Sequence, residues 1–310
     1  MILVTGGAGF VGLNVVEQLR ARGDEVRVAD LDRPAIDVPY VRADVAQPPD
    51  GMFAGVKRVI HLAAITADPA RDARDPALIA EVNLLGTIRM LEAARRHGVE
   101  RFVYASTGAL YGNAGVGVDH PLDEEGDRPV PETMYGITKY AAERACLRLG
   151  SLWNLDVRIG RLGTAFGRWE HATSARTVIS PPTQIAALAR RGEDAVFFRL
   201  GATDYIYAPD LAAAIIAVMD AKAPKHRLYH LSTGAAWSLP AWCELLQQRF
   251  PRFRWRESTQ EAECNVMPLT RITRTRFSNR RLVEDLGWRP RFDLAQARDD
   301  FLDWMDKHES

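Results

Sequence analysis

Residues 1–30 read MILVTGGAGFVGLNVVEQLRARGDEVRVAD, and the order of residue types in them decides the fold. The apolar run at 2–4 predicts a short strand, the glycines a turn, the amphipathic stretch ending near Gly23 a helix, and residues 25–29 a second strand. Gly7, Gly9 and Gly12 fit G-x-G-x-x-G, while Gly6, Gly9 and Gly12 also fit G-x-x-G-x-x-G. Either spacing allows a tight turn, approach of a pyrophosphate to backbone N–H groups at the helix N-terminus, and close helix–strand packing. Gly6, Gly9, Phe10, Val11 and Gly12 are therefore candidate contacts of a dinucleotide. Asp30 closes the second strand 18 residues after Gly12. A carboxylate there accepts hydrogen bonds from a ribose 2′-hydroxyl and repels a 2′-phosphate, which favours NAD over NADP; Arg33 softens that preference.

The alternation continues. Strands are predicted at 38–42, 57–62 and 101–105, with helices over 76–97 and from Tyr135 to about residue 149. Strands alternating with helices imply an α/β fold with a Rossmann-type doubly wound parallel sheet. Beyond residue 160 the regularity weakens. Strand-like stretches at 157–162, 196–200 and 227–231 mix with helices near 183–191, 209–220, 239–250, 279–286 and 294–307. The expected organisation is an NAD-binding domain over 1–160 and a smaller mixed α/β substrate-binding lobe over 161–310, interwoven and not independently folding. Pro181–Pro182 and Pro268 read as loop markers. The helices at 77–96 and 135–149 carry apolar residues on more than one face, which suits a homodimer interface, with burial in a larger core nearly as good an explanation.

Composition narrows the function classes. The chain has 310 residues, 47% of them hydrophobic, enough for a sizeable core. Forty basic residues balance forty acidic ones, and no basic run is interleaved with aromatics, so small molecules are the expected partners and nucleic acid is not. Thirty-five of the basic residues are Arg and five are Lys, which makes any single Arg a weak sign of anion binding and gives Lys139 more weight. Cys146, Cys243 and Cys264 are odd in number and lack C-x-x-C spacing, so neither a disulfide framework nor a metal site is expected. With no basic n-region at the N-terminus and no run of about 18 apolar residues, a cytoplasmic protein without membrane contact is expected.

One stretch carries chemistry: TMYGITKYAAER, residues 133–144. Tyr135 and Lys139 are four apart and so share a helix face; of the eight tyrosines only Tyr135 has Lys at i+4. A phenol with a pKa of about 10 needs a nearby cation to act as a base near neutral pH.

With TGGAGFVG at the start, Asp44–Val45, HLAA at 61–64, AST at 105–107 and YGITK at 135–139, the chain resembles the extended short-chain dehydrogenase/reductase family, and more narrowly its NAD-dependent epimerase/dehydratase branch. The resemblance implies adenine contacts from Asp44 and Val45 and a cofactor cleft lined by Leu62, Ala63 and Ala64. It also implies an active-site helix braced by Asn83, itself grouped with the cofactor residues. It makes Tyr135 the acid/base and has Lys139 hydrogen-bond the nicotinamide ribose and depress the tyrosine's pKa. Thr107, four before Tyr111, becomes the hydroxyl that holds the substrate oxygen, with Ser106 as its neighbouring candidate and a cofactor contact.

Nucleotide-sugar members of that family usually read R-x-x-N-x-x-G and Arg-Asp-Tyr/Phe where this chain has Thr164 and Thr203 in place of the Asn and the first Arg. Losing an amide and a guanidinium removes charge-assisted hydrogen bonds of about 1.5–3 kcal/mol each. The expectation is therefore an NAD-dependent oxidoreductase that takes hydride from a hydroxyl of a sugar or sugar-acid-like substrate. Thr164, Arg168, His171, Ser174 and Arg176 are its candidate substrate contacts. The competing expectation is a UDP-sugar 4-epimerase with tightly held, recycled NAD, for which the Arg-rich stretch 271–281 offers phosphate ligands.

Overall fold

The computed structural model describes residues 1–66 and 68–308. Strand β1 (Ile2–Thr5) is buried along its whole length and leads through the glycine turn into helix α1 (Phe10–Ala21), then β2 (Val26–Asp30) and β3 (Tyr40–Arg42). Strand β4 (Arg58–His61) is followed by the short helices α2 (Pro69–Arg74) and α3 (Pro76–Ala80), a π-helical turn (Glu81–Gly86) and α4 (Thr87–Arg96). The helix expected over 76–97 is thus interrupted by a wider turn, of a kind that tends to mark functional positions. Next come β5 (Arg101–Thr107), α5 (Met134–Trp153) and β6 (Asp156–Leu162). Thr133 caps α5 by accepting the N–H of Gly136 at 3.0 Å, and Asn154 ends it in the left-handed region at φ 50°.

The second half holds β7 (Thr164–Phe166), α6 (Pro181–Arg191), β8 (Ala195–Phe198), β9 (Tyr205–Tyr207), α7 (Ala208–Asp220) and β10 (Leu228–Leu231). It closes with α8 (Leu239–Arg249), β11 (Trp255–Ser258), α9 (Arg280–Leu286) and α10 (Leu294–His308). Pro181 and Pro182 open α6 instead of marking a loop: the first helical turn needs no N–H from them and their fixed φ suits it. Strands β7, β9 and β11 are not anticipated by period-2 patterning because they are short and pair only within two small two-stranded sheets.

Seven strands form one parallel sheet in the order β10-β6-β5-β4-β1-β2-β3. The strand order reverses between β1 and β4, which opens a crevice beyond their carboxyl ends, where ligands of such sheets bind. One apolar layer packs α1 and α7 on one face; another packs α4 and α5 on the other. The boundary expected at residue 160 falls inside β6, and α7 and β10 return to the main sheet. The second lobe is built from β7–β9, α6, α8, β11 and α10 around a separate aromatic-rich core containing Phe166, Trp242 and Phe301. No helix among the described residues is long and apolar enough to cross a membrane.

Candidate active site

The glycine turn lies at the strand reversal, and two of its positions admit no side chain. A Cβ on Gly12 would lie 2.1 Å from the Gly6 carbonyl oxygen, and one on Gly6, at φ +67°, would lie 2.6 Å from the Ala63 nitrogen. Gly9 precedes α1 without a side-chain cap, so the first-turn N–H groups of Phe10, Val11 and Gly12 receive no bond from its side. Asp30 accepts the N–H of Ala8 at 2.9 Å and that of Leu31 at 2.7 Å. Burial pushes its carboxyl up, and these donors pull the other way. Asp44 turns its own loop by accepting Ala46 N–H at 2.8 Å, and Val45 packs under Gly86. Leu62, Ala63 and Ala64 line the opposite, β4 side of the crevice, half-buried. A cradle whose Gly6 and Gly12 positions leave no room for a Cβ and a half-buried carboxylate fit the pyrophosphate and ribose of NAD.

Asn83 is fully enclosed, and both ends of its amide are engaged. It accepts Ile65 N–H at 2.8 Å, donates to Ile65 C=O at 2.9 Å and donates to the Thr138 hydroxyl at 3.2 Å. It braces α5 against the β4 loop and has no polar atom left over for a cofactor.

Thr107 ends β5, where its hydroxyl oxygen accepts the N–H of Ala109 at 3.1 Å. Tyr135, one residue into α5 and half-buried, lies beside that hydroxyl. Burial raises the phenol's pKa, opposed by Thr107 and by the positive charge of Arg176. Lys139 follows one turn later, almost fully buried, with Nζ 4.2 Å from the Tyr104 ring centroid. Burial brings its ammonium down to about 7, against the pull of Cys146 and Glu143. The positive charge of Arg176 favours the Tyr135 phenolate, while burial draws Lys139 itself toward neutrality.

Ser106 is separated from the cleft by its bonding. Its hydroxyl donates to Glu143 at 2.7 Å, Glu143 pairs with Arg161 at 2.7 Å, and Arg161 donates to the Tyr111 hydroxyl at 2.6 Å, which lies 2.7 Å from His230 Nε2. This buried polar chain stiffens the floor of the site. Sequence reasoning missed Glu143, Arg161 and His230, although Glu143 sits four residues after Lys139 on the same helix face.

On the substrate side, Thr164 pairs with Tyr205 between β7 and β9, and Thr203 pairs with Trp237. Asp204 is buried and accepts Ser232 Oγ at 2.5 Å and Phe277 N–H at 2.9 Å; burial pushes its carboxyl up to about 6. That contact holds the 271–278 segment against the end of β5. Phe277 fills the space beside Gly108, and Arg274 Nη1 donates to the Gly108 carbonyl at 2.6 Å. Among the described residues no carboxylate forms an ion pair with Arg274, and burial lowers its pKa. Arg168 is instead taken up by Asp300, with Nε at 2.9 Å, and by Glu17 at 3.9 Å. His171 is exposed, with Nδ1 2.9 Å from the Trp169 carbonyl. Neither candidate is held toward Tyr135, because each is engaged locally. Arg176 does reach the site, 5.2 Å from the Phe10 ring, and Ser174 offers its carbonyl to Arg71.

Residues 2–231 match the model of the NAD dependent epimerase/dehydratase family. A UDP-glucose 4-epimerase of Rhizobium leguminosarum bv. trifolii is 29% identical, the match covering 99% of this chain and 97% of that protein. The UDP-glucose 4-epimerase of Thermus thermophilus, solved with NAD, is 26% identical with a TM-score of 0.77 over 97% of this chain and 98% of that one. The Thermotoga maritima UDP-glucose 4-epimerase, solved with UDP-glucose, superposes with a TM-score of 0.82 over 100% of this chain and 99% of that one at 24% identity, a likeness of fold. With the family model spanning the glycine cradle, the Thr107–Tyr135–Lys139 group and the whole seven-stranded sheet, the chain belongs to the NAD-dependent epimerase/dehydratase family and is an NAD-dependent enzyme of the extended short-chain dehydrogenase/reductase type.

Proposed function

We propose that the protein is a nucleotide-sugar 4-epimerase acting on a UDP-sugar, with its NAD retained and recycled. The observation that carries this reading is Arg274, a buried guanidinium with no ion-paired carboxylate among the described residues and only the more distant charge of Glu132, beside Gly108 and one residue from the proposed catalytic threonine. A desolvated cation without a carboxylate is costly unless an anion completes it, and a diphosphate is such an anion. It takes over from the guanidinium missing at Thr203, and the buried Asp204 carboxylate positions it by anchoring Phe277. Arg168 and His171 are no longer part of the substrate set; Thr164 is kept at the mouth of the lobe.

In this reading Thr107 holds the sugar hydroxyl while Tyr135, as phenolate, removes its proton; the same phenol returns the proton when the opposite face is reduced. NAD, when bound, supplies a hydride acceptor that gives the hydride back. Gly6, Gly9, Phe10, Val11 and Gly12 bind its pyrophosphate, Asp30 the adenosine ribose, and Asp44 and Val45 the adenine. Leu62, Ala63 and Ala64 line the cleft, and Lys139 serves the nicotinamide ribose. Ser106 and Asn83 act behind this shell. The unit is placed in the cytoplasm as a homodimer, and exposed Leu78, Leu85, Ile137 and Leu152 on α3 to α5 support the dimer; sedimentation as a monomer at micromolar concentration counts against it.

The test is incubation with UDP-glucose or UDP-galactose. Interconversion without net NADH is expected. Accumulation of NADH from free sugars or sugar acids, with no UDP-sugar turnover, establishes the dehydrogenase reading, which the threonines at 164 and 203 favour.

A further inference from the structure

Residues 168–177 cross the mouth of the dinucleotide crevice as a strap. Gly167 at φ +115° and Trp169 at φ +66° turn the chain out of β7, the latter a conformation uncommon for a bulky side chain. One end lies along α1: Asn14 Nδ2 donates to the Arg168 carbonyl at 2.8 Å, and Trp169 Nε1 is 3.5 Å from Glu17. The other end lies on the loop after β4. There Thr66 donates its N–H and its hydroxyl to the Ala175 carbonyl at 2.9 and 3.0 Å, and Thr177 Oγ1 donates to Asp68 at 2.9 Å. Helix α1 and the β4 loop are the two walls of the crevice, so the strap roofs it.

Arg176 is the charged residue of that roof. Its Nη2 is fixed by Glu170 at 2.5 Å, its Cζ lies 5.2 Å from the Phe10 ring centroid, and its Nε is buried without a hydrogen-bond partner among the described residues. Glu170 also accepts Ser180 N–H, Ser180 Oγ and Thr183 Oγ1, so its carboxylate is shared among several donors. Neither the turn at 6–12 nor the loop at 62–66 contains Lys or Arg. The turn offers a dianionic pyrophosphate backbone dipoles and no full positive charge of its own.

We propose that Arg176 is a cofactor clamp: its guanidinium binds the pyrophosphate of NAD from the roof of the crevice, and the strap must lift from Thr66 and Asp68 before the dinucleotide can exchange. This rests on the NAD site assigned above and gives the retention of cofactor a structural cause. It also places Arg176 on the cofactor, not on the sugar.

The test measures binding by calorimetry on cofactor-stripped protein and release rates by stopped-flow fluorescence of NADH. Arg176→Ala is expected to weaken NAD and ADP-ribose about ten- to a hundredfold, the range of a lost charge-assisted bond, and to leave AMP within about twofold. Arg176→Gln, which keeps a donor for Glu170, is expected to show the same pattern and serves if the alanine variant folds poorly. Thr177→Val, which opens the strap, is expected to accelerate NADH association and release together. The clamp is overturned if Arg176→Gln leaves NAD affinity unchanged, if it weakens AMP as much as ADP-ribose, or if only UDP binding suffers. Wild-type protein that binds no NAD removes the site reading itself, a result distinct from all of these.

Discussion

The side-chain amide of Asn83 reaches the hydroxyl of Thr138 at 3.2 Å while its two other bonds hold Ile65, so the π-helical turn, the β4 loop and α5 are tied at one point. Thr138 lies between Tyr135 and Lys139 in sequence, and its position follows from that contact. Replacing Asn83 by Ala leaves the buried N–H and C=O of Ile65 unpaired. A loss of about 3 kcal/mol is expected, read from urea unfolding, with NAD affinity falling because the β4 loop loosens. An unchanged midpoint means the brace is not needed.

In the proposed mechanism, Tyr135→Phe removes only the oxygen that moves the proton. Turnover is expected to fall by about 10²–10⁴-fold, while NAD binding stays within about threefold. Retention of more than a few per cent of activity assigns the base elsewhere.

Among the described residues Arg274 has no ion-paired carboxylate to leave behind when it is removed, only the more distant charge of Glu132. Arg274→Ala is therefore expected to weaken UDP about tenfold or more, by calorimetry, without loss of thermal stability and without change in NAD affinity. Equal UDP binding in variant and wild type places the diphosphate away from the 271–278 segment.

Two buried histidines set the response to acid. His61, bonded to Thr5 and Thr87, and His230, bonded to Tyr111, are both pushed down to about 3, chiefly by burial. In the unfolded chain they take up protons below about 6.5, whereas in the folded chain they do not, so stability falls as pH falls through that window. A loss of about 2 kcal/mol per histidine is expected between pH 7 and 5. Asp204, raised to about 6, works in the opposite direction between its unfolded value of 3.8 and 6, since the folded state holds that proton more tightly. Unfolding midpoints across this range check the sign, and His230→Asn is expected to flatten the slope.

The first thirty residues determined the sheet type, because a glycine turn between an apolar strand and an amphipathic helix has one low-energy solution, and that solution carries its own phosphate site. The i, i+4 spacing of Tyr135 and Lys139 likewise determined their common face, since helix geometry is local. Other features depend on chain segments far apart in sequence. Thr107 is distinguished from Ser106 only by the alternation of β5, which turns one toward the cleft and the other toward Glu143 on α5. Arg168, Arg176 and Arg274 look alike in an Arg-rich sequence, and tertiary packing separates them: Asp300 captures the first, the crevice receives the second, and the Asp204–Phe277 contact carries the third to Gly108. Periodicity encodes which face a residue occupies on its own element, whereas the partner of a charge is set by which distant elements the sheet order brings together.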